Sequence, residues 1–205
     1  WVHTVTRAGR PLDATKDLYD HAFVILALAW LARTTGDDEP LLLAERTMAY
    51  LDRRMVDPHG GGGRWGGYHE RSTEGLMEGP LPRRQNPHMH LLEGMMAMYE
   101  TTRDAVWLDR GRRLVDLVLD FMIEPATGQL GEYFTADWKP AKGEAGRIRE
   151  PGHHFEWVWL LLTYRALSGD DRILEPADRL YRFGLLGTDQ EGDGPVAPVD
   201  ETDPD

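Results

Sequence analysis

The chain repeats itself, and that fact limits its folds more than any other. His21-Ala22-Phe23 opens an apolar run that closes at Thr34-Thr35-Gly36-Asp37. His88-Met89-His90 opens a second that closes at Thr101-Thr102-Arg103-Asp104, and His154-Phe155-Glu156 opens a third that closes at Ser168-Gly169-Asp170. The leading histidines His21, His88 and His154 and the closing residues Gly36, Arg103 and Gly169 keep the same offsets, 67 and then 66 residues. A fixed period is the mark of a repeat architecture, in which one unit cannot bury its apolar side alone and stacked neighbours share a core.

After each closing residue a second pattern begins, over Leu41 to Met55, Val106 to Met122 and Ile173 to Leu186. Its apolar residues recur at helical spacing. Asp57-Pro58 and Glu124-Pro125 end the first two at the same phase, because proline cannot continue a helix. Each unit is therefore a helical hairpin. Its first helix is apolar nearly all round and is expected to be buried on both sides, and its second is amphipathic and is expected to lie outside. Inner apolar helices ringed by outer amphipathic ones predict an all-α toroid of the (α/α)6 kind, of which three hairpins make about half. An open α-solenoid of three hairpins is the alternative. Residues 1–205 read as part of one barrel domain, with 189–205, acidic and without periodicity, as an interrupted or flexible loop.

Composition narrows the function. The 205 residues carry a net charge of −12, which argues against nucleic acid or an anionic membrane surface as partner, since phosphates need a basic face. The longest apolar run, Ala22 to Trp30, is about half of what a bilayer requires. The absence of cysteine excludes thiolate metal sites, iron–sulfur centres and a cysteine nucleophile, and it fits a reducing, cytoplasmic setting. The chain opens on Trp1 without a leader pattern and is read as an internal piece of a longer protein.

The polar residues cluster by phase at the starts of the inner helices: Tyr19, Asp20 and His21; Asn86, His88 and His90; His153, His154 and Glu156. In a toroid these starts share one mouth. Asn86, His90 and Glu93 are spaced i, i+4, i+7 and share a helical face, as do His153 and Glu156 at i, i+3. His21, His88 and His154 sit at one repeat phase, which suits a common structural task. His90 and His153 break the repeat, with Phe23 and Asp20 in the corresponding places of the first unit, so they are the better candidates for chemistry. His88 with His90 and His153 with His154 make a poor chelate, because near neighbours on a helix point apart, and no metal is expected. Trp65 and Tyr68, in a glycine-rich loop with little core to fill, are expected to bind ligand, whereas Trp157 and Trp159 suit a core. Gly60 to Gly67 lacks the Gly-Lys-Ser/Thr ending of a phosphate loop.

Two segments carry a resemblance: Arg84-Gln85-Asn86-Pro87-His88-Met89-His90-Leu91-Leu92-Glu93 and Glu150-Pro151-Gly152-His153-His154-Phe155-Glu156-Trp157. Together with Leu18-Tyr19-Asp20-His21-Ala22-Phe23 they resemble the N-acylglucosamine 2-epimerase superfamily, and more closely its mannose-isomerase-like branch. The resemblance implies an (α/α)6 barrel and a cofactor-free proton transfer at sugar C2 through a cis-enediol, most simply between mannose and fructose. It implies His153 as an acid/base, Glu156 as its orienting or assisting carboxylate, and His90 and Asn86 in hydroxyl binding and ring opening. Arg84 and Tyr19 match further pocket positions. The family's second catalytic histidine falls beyond His154, so the chain alone is expected to be inactive or unstable. A small-molecule sugar is the implied partner, with a homodimer possible. The other enzyme reading is an (α/α)6 glycoside hydrolase or lyase using Glu93 and Glu156, and the non-catalytic one is a helical-repeat binding module.

Overall fold

A computed structural model describes residues 1–57, 67–72 and 82–188. Its helices fall in the anticipated order. α1 (Leu18–Thr35) and α2 (Glu39–Arg54) form the first hairpin, α3 (Gln85–Thr102) and α4 (Ala105–Leu117) the second, α5 (Pro151–Ser168) and α6 (Leu174–Leu186) the third. Gly36, Arg103 and Gly169 cap the inner helices in the left-handed region, at φ 76°, 57° and 75°. This is the backbone reason for the shared closing motif, because a left-handed cap turns the chain sharply out of the helix. Asp104 caps α4 by accepting from the Val106 N–H. The pattern from Val106 to Met122 is not one uniform helix: α4 passes into a π-helical turn over Val118–Met122.

The inner helices pack side by side. Gly94 on α3 lets α1 come close, since a Cβ there would lie 3.3 Å from the Ala22 carbonyl oxygen and 3.3 Å from Ile25 Cγ2. α3, in the middle, is buried along most of its length, as an inner helix should be. α1 and α5 differ from the expectation, because each is covered on one flank only. Leu31 is 50% exposed, while its repeat equivalents Met98 and Tyr164 are 0% and 2% exposed. On the opposite flank Leu162 is 44% exposed, while its equivalents Ala29 and Met96 are 0% and 3% exposed. The two ends thus present the faces that the middle hairpin buries. The inner helices among the described residues form an open arc. Among the described residues no helix is long and apolar enough to cross a membrane.

Short strands tie the loops to the inner-helix starts. β1 (Thr4–Val5) pairs with β2 (Pro11–Asp13) near the start of the chain. β3 (Lys16–Asp17) runs into α1 and pairs with β4 (Arg71–Ser72). β5 (Arg83–Arg84) runs into α3 and pairs with β6 (Tyr133–Phe134), in the register Arg84 to Tyr133. The loops after α2 and α4 are thereby brought back to the starts of α1 and α3. Residues 189–205 lie outside the described residues.

Candidate active site

The three equivalent histidines do one structural job. His21, His88 and His154 each donate Nδ1–H to the carbonyl four residues back, those of Asp17, Arg84 and Glu150, at 2.7, 2.8 and 2.8 Å. The far nitrogen then serves the neighbouring loop. Nε2 of His88 accepts from the Tyr68 N–H at 3.0 Å, and Nε2 of His154 accepts from the Leu130 N–H at 2.9 Å. Burial holds all three below the ordinary histidine value, His88 down to about 4. A neutral ring is what this pairing of one donor and one acceptor requires. His88 and His154 are thus held in backbone bonds and do not join His90 and His153 in a chelate.

The helical faces that carry the two histidines breaking the repeat meet across the α3–α5 contact. Asn86 Nδ2 lies 3.0 Å from His153 Nε2. One turn further along, His90 Nδ1 is 3.2 Å from Glu93 Oε2 and 3.9 Å from Glu156 Oε1. The i, i+4, i+7 face of α3 therefore lies against the i, i+3 face of α5. Phe23 and Tyr19 of α1 close the third side, with ring centroids 4.4 and 5.2 Å from that of His90. His90 itself is buried, and Tyr19 and Phe23 are each 37% exposed, so they form the outer wall of the site.

The carboxylates on His153 are not the one anticipated. Glu132 Oε2 and Glu150 Oε2 lie 3.0 and 3.1 Å from Nδ1, while Glu156 faces His90 instead. The helix explains this correction: Glu156 is one turn beyond His153 and looks across to the residue one turn beyond Asn86. Burial lowers the His153 pKa, but the bond to Glu132 and the charges of Glu132, Glu150 and Glu156 outweigh it, and the net shift is upward. Behind Glu132, Gln85 Nε2 donates to the same Oε2 at 2.9 Å, and Trp157 Nε1 donates to Gln85 Oε1 at 2.6 Å. Glu132, Glu150 and His153 offer ligand atoms within 4.8 Å of one another. The Glu132 oxygen facing that space already accepts two hydrogen bonds, so the cluster is built as a hydrogen-bonded support for a ring.

Of the other expected site residues, Arg84 stands beside the cluster. Its Nε and backbone N–H both donate to Glu70, at 2.9 and 2.7 Å, and burial pushes that carboxyl up despite the guanidinium. Tyr68 is not at the mouth. It is buried, and its hydroxyl donates to Asp52 of α2 at 2.9 Å. The loop aromatic expected to bind ligand packs inward because its own N–H is tied to His88. Trp65 lies outside the described residues. Sequence reasoning missed Glu132, Glu150, Gln85 and Phe23. Glu150 and Gln85 stand inside the two quoted motifs, so their neighbours signalled them. Glu132 lies in an aperiodic loop and reaches the site only through the pairing of β5 with β6.

An arc of helical hairpins with histidines, glutamates and an amide gathered where its inner helices begin is a toroid segment with a polar cluster at its mouth. The chain belongs to the N-acylglucosamine 2-epimerase family, which matches residues 1–204. It is 36% identical over 180 residues to a protein of Rhizobium meliloti (strain 1021) named mannose-6-phosphate isomerase, covering 86% of this chain and 44% of that protein. A crystal structure of D-mannose isomerase superposes with a TM-score of 0.76 at 26% identity, over 89% of this chain and 48% of that one. The structure of cellobiose 2-epimerase from Spirochaeta thermophila DSM 6192 gives a TM-score of 0.72 at 31% identity, over 87% of this chain and 46% of that one. The fold is thus of the (α/α)6 kind, and the chain spans about half the length of the relatives it matches.

Proposed function

We propose that these hairpins supply one side of the active site of a sugar isomerase or 2-epimerase, in which His153 moves the C2 proton of an open-chain aldose. The observation that carries this reading is the state of His153. Its Nδ1 is backed by two carboxylates and its Nε2 points to the α3 face through Asn86. An imidazole, whose ordinary pKa lies near neutrality, can take a proton and give it back. Removal of the C2 proton leaves a cis-enediol. Return of a proton to C1 gives the ketose, and return to the other face of C2 gives the epimer. Asn86 and His90 hold sugar hydroxyls and assist ring opening, and Tyr19 and Phe23 form an aromatic wall for the sugar. Arg84, held by Glu70, lines the approach.

An unphosphorylated sugar suits the site better than a phosphorylated one. Glu93, Glu132, Glu150 and Glu156 surround the histidines, and Arg84, the basic side chain beside the cluster, is engaged by Glu70. Mannose and fructose are accordingly the substrate pair we favour. In a protein that also carries the remaining hairpins, His153→Ala is expected to abolish exchange of the C2 proton with deuterated solvent. Retained exchange would exclude His153 as the base. A thermal-shift series with mannose, fructose, N-acetylglucosamine and mannose 6-phosphate separates the substrate classes, since a bound sugar raises Tm by mass action.

A further inference from the structure

The geometry assigns a polarity to the buried chain Trp157–Gln85–Glu132–His153: an indole that can only donate at one end and a carboxylate that can only accept at the other fix the hydrogen-bond directions, make Glu132 a positioning residue of His153, and leave Nε2 as its proton-accepting atom. The inference rests on His153 as the base and adds which nitrogen acts and what selects it.

An indole N–H can only donate. Trp157 Nε1 therefore makes the oxygen of the Gln85 amide the atom that faces it, at 2.6 Å. That sets the amide's orientation, since the reverse one would turn its NH2 against the indole N–H. The Gln85 NH2 must then face Glu132, and at 2.9 Å from Oε2 it needs an acceptor there. Oε2 thus serves as an acceptor, Glu150 Oε2 is a second one at 3.1 Å, and the His153 nitrogen that faces both must carry hydrogen. The lone pair of the neutral ring is left on Nε2, where the Asn86 amide donates to it at 3.0 Å.

Nothing in this chain can easily reverse. Gln85 and Trp157 are 0% exposed and Glu132 is 4% exposed, so water does not compete for their bonds. Backbone also holds the pair together, since the Gln85 N–H donates to the Glu132 carbonyl at 3.2 Å. Glu132 Oε1 has no hydrogen-bond partner, which concentrates the carboxylate's bonding on the single oxygen that faces both donors. When Nε2 takes a proton it becomes a donor, and Asn86 Oδ1, buried and without a partner, is the acceptor that a turn of the amide would bring to it.

The test is nitrogen NMR of His153 in the 205-residue chain, which needs no substrate and no turnover. The neutral ring is expected to carry its hydrogen on Nδ1. Glu132→Gln is expected to weaken proton binding by His153 about tenfold or more, because a charge and its hydrogen bond are removed together. Trp157→Phe is expected to retain folding and to leave the hydrogen on Nδ1, since the carboxylates of Glu132 and Glu150 still accept there. A neutral ring bearing hydrogen on Nε2 would overturn the assignment. So would an unchanged titration in folded Glu132→Gln. Should Glu132→Gln not fold, the unsubstituted chain decides. Failure of proton exchange to depend on His153 would sink the functional reading while leaving the hydrogen position intact, so the two failures are distinct.

Discussion

At the scale of the residue, what separates the histidines is whether the repeat explains them. His21, His88 and His154 recur because each inner helix needs a group that bonds its own first turn, and His88 and His154 hold an incoming loop at the same time. A neutral imidazole has one donor and one acceptor for this. The recurrence was visible in the sequence, and so was the departure from it at His90 and His153. The loop bonds were not, since they depend on where a distant N–H arrives. The arrangement makes a pH prediction. The His88 pKa is lowered by burial from 6.5 to about 4, so the folded state resists a proton that the unfolded chain accepts. Stability is then full above pH 6.5 and falls as the pH drops toward 4. The loss from this one residue is on the order of 3 kcal/mol, with His21 and His154 contributing in the same direction. His153 has the opposite sign. Its raised pKa stabilises the fold below the ordinary histidine value, and that contribution fades as pH rises through the raised value. Urea unfolding from pH 4 to 8 should show the acid loss directly. Replacing His88 with Gln, which does not titrate, should flatten the acid limb.

At the scale of the element, helices were legible because long apolar periods and proline stops are local signals. The site's second carboxylate was not. β5 and β6 are two-residue strands with no periodicity to read, and only their register places Glu132 against Gln85. The π-helical turn after α4 escaped for a similar reason, because one extra residue per turn leaves an apolar pattern almost unchanged. The shared closing motif gives the sharpest prediction at this scale. Gly36 and Gly169 occupy the left-handed cap without strain, whereas Arg103 holds it at φ 57° with a Cβ. Arg103 is exposed, and what it gains is a stack of its guanidinium 5.8 Å from the Tyr99 ring centroid. Relief of the left-handed strain is worth about 1–2 kcal/mol and the exposed cation–π contact about 0.5–1. Arg103→Gly is therefore expected to raise stability by about 0.5–1 kcal/mol, read as a shift of the urea midpoint with an unchanged slope. A lower midpoint would mean that the stack outweighs the strain.

At the scale of the whole molecule, the repeat makes the two ends of the arc complementary. The middle hairpin shows what each flank of an inner helix is for, and α1 and α5 each carry one such flank uncovered. This separates residues that are apolar for the present contacts from those that are apolar for a contact still to be made. Leu31 belongs to the second group. It is half exposed, yet Met98 and Tyr164, at the same phase of the next two units, are buried. A carboxylate at an exposed helix position shifts stability by about 0.5 kcal/mol or less, whereas an unpaired one in a core costs several. Leu31→Asp is thus expected to be nearly neutral in the 205-residue chain. It should be severely destabilising, with loss of the cooperative transition at 37 °C, in a protein in which a preceding hairpin packs on α1. Chemical denaturation of the pair, with and without that hairpin, measures the difference. If Leu31→Asp costs the same in both, the free flank is not an inner-helix seat, and the closed ring is not how this surface is used.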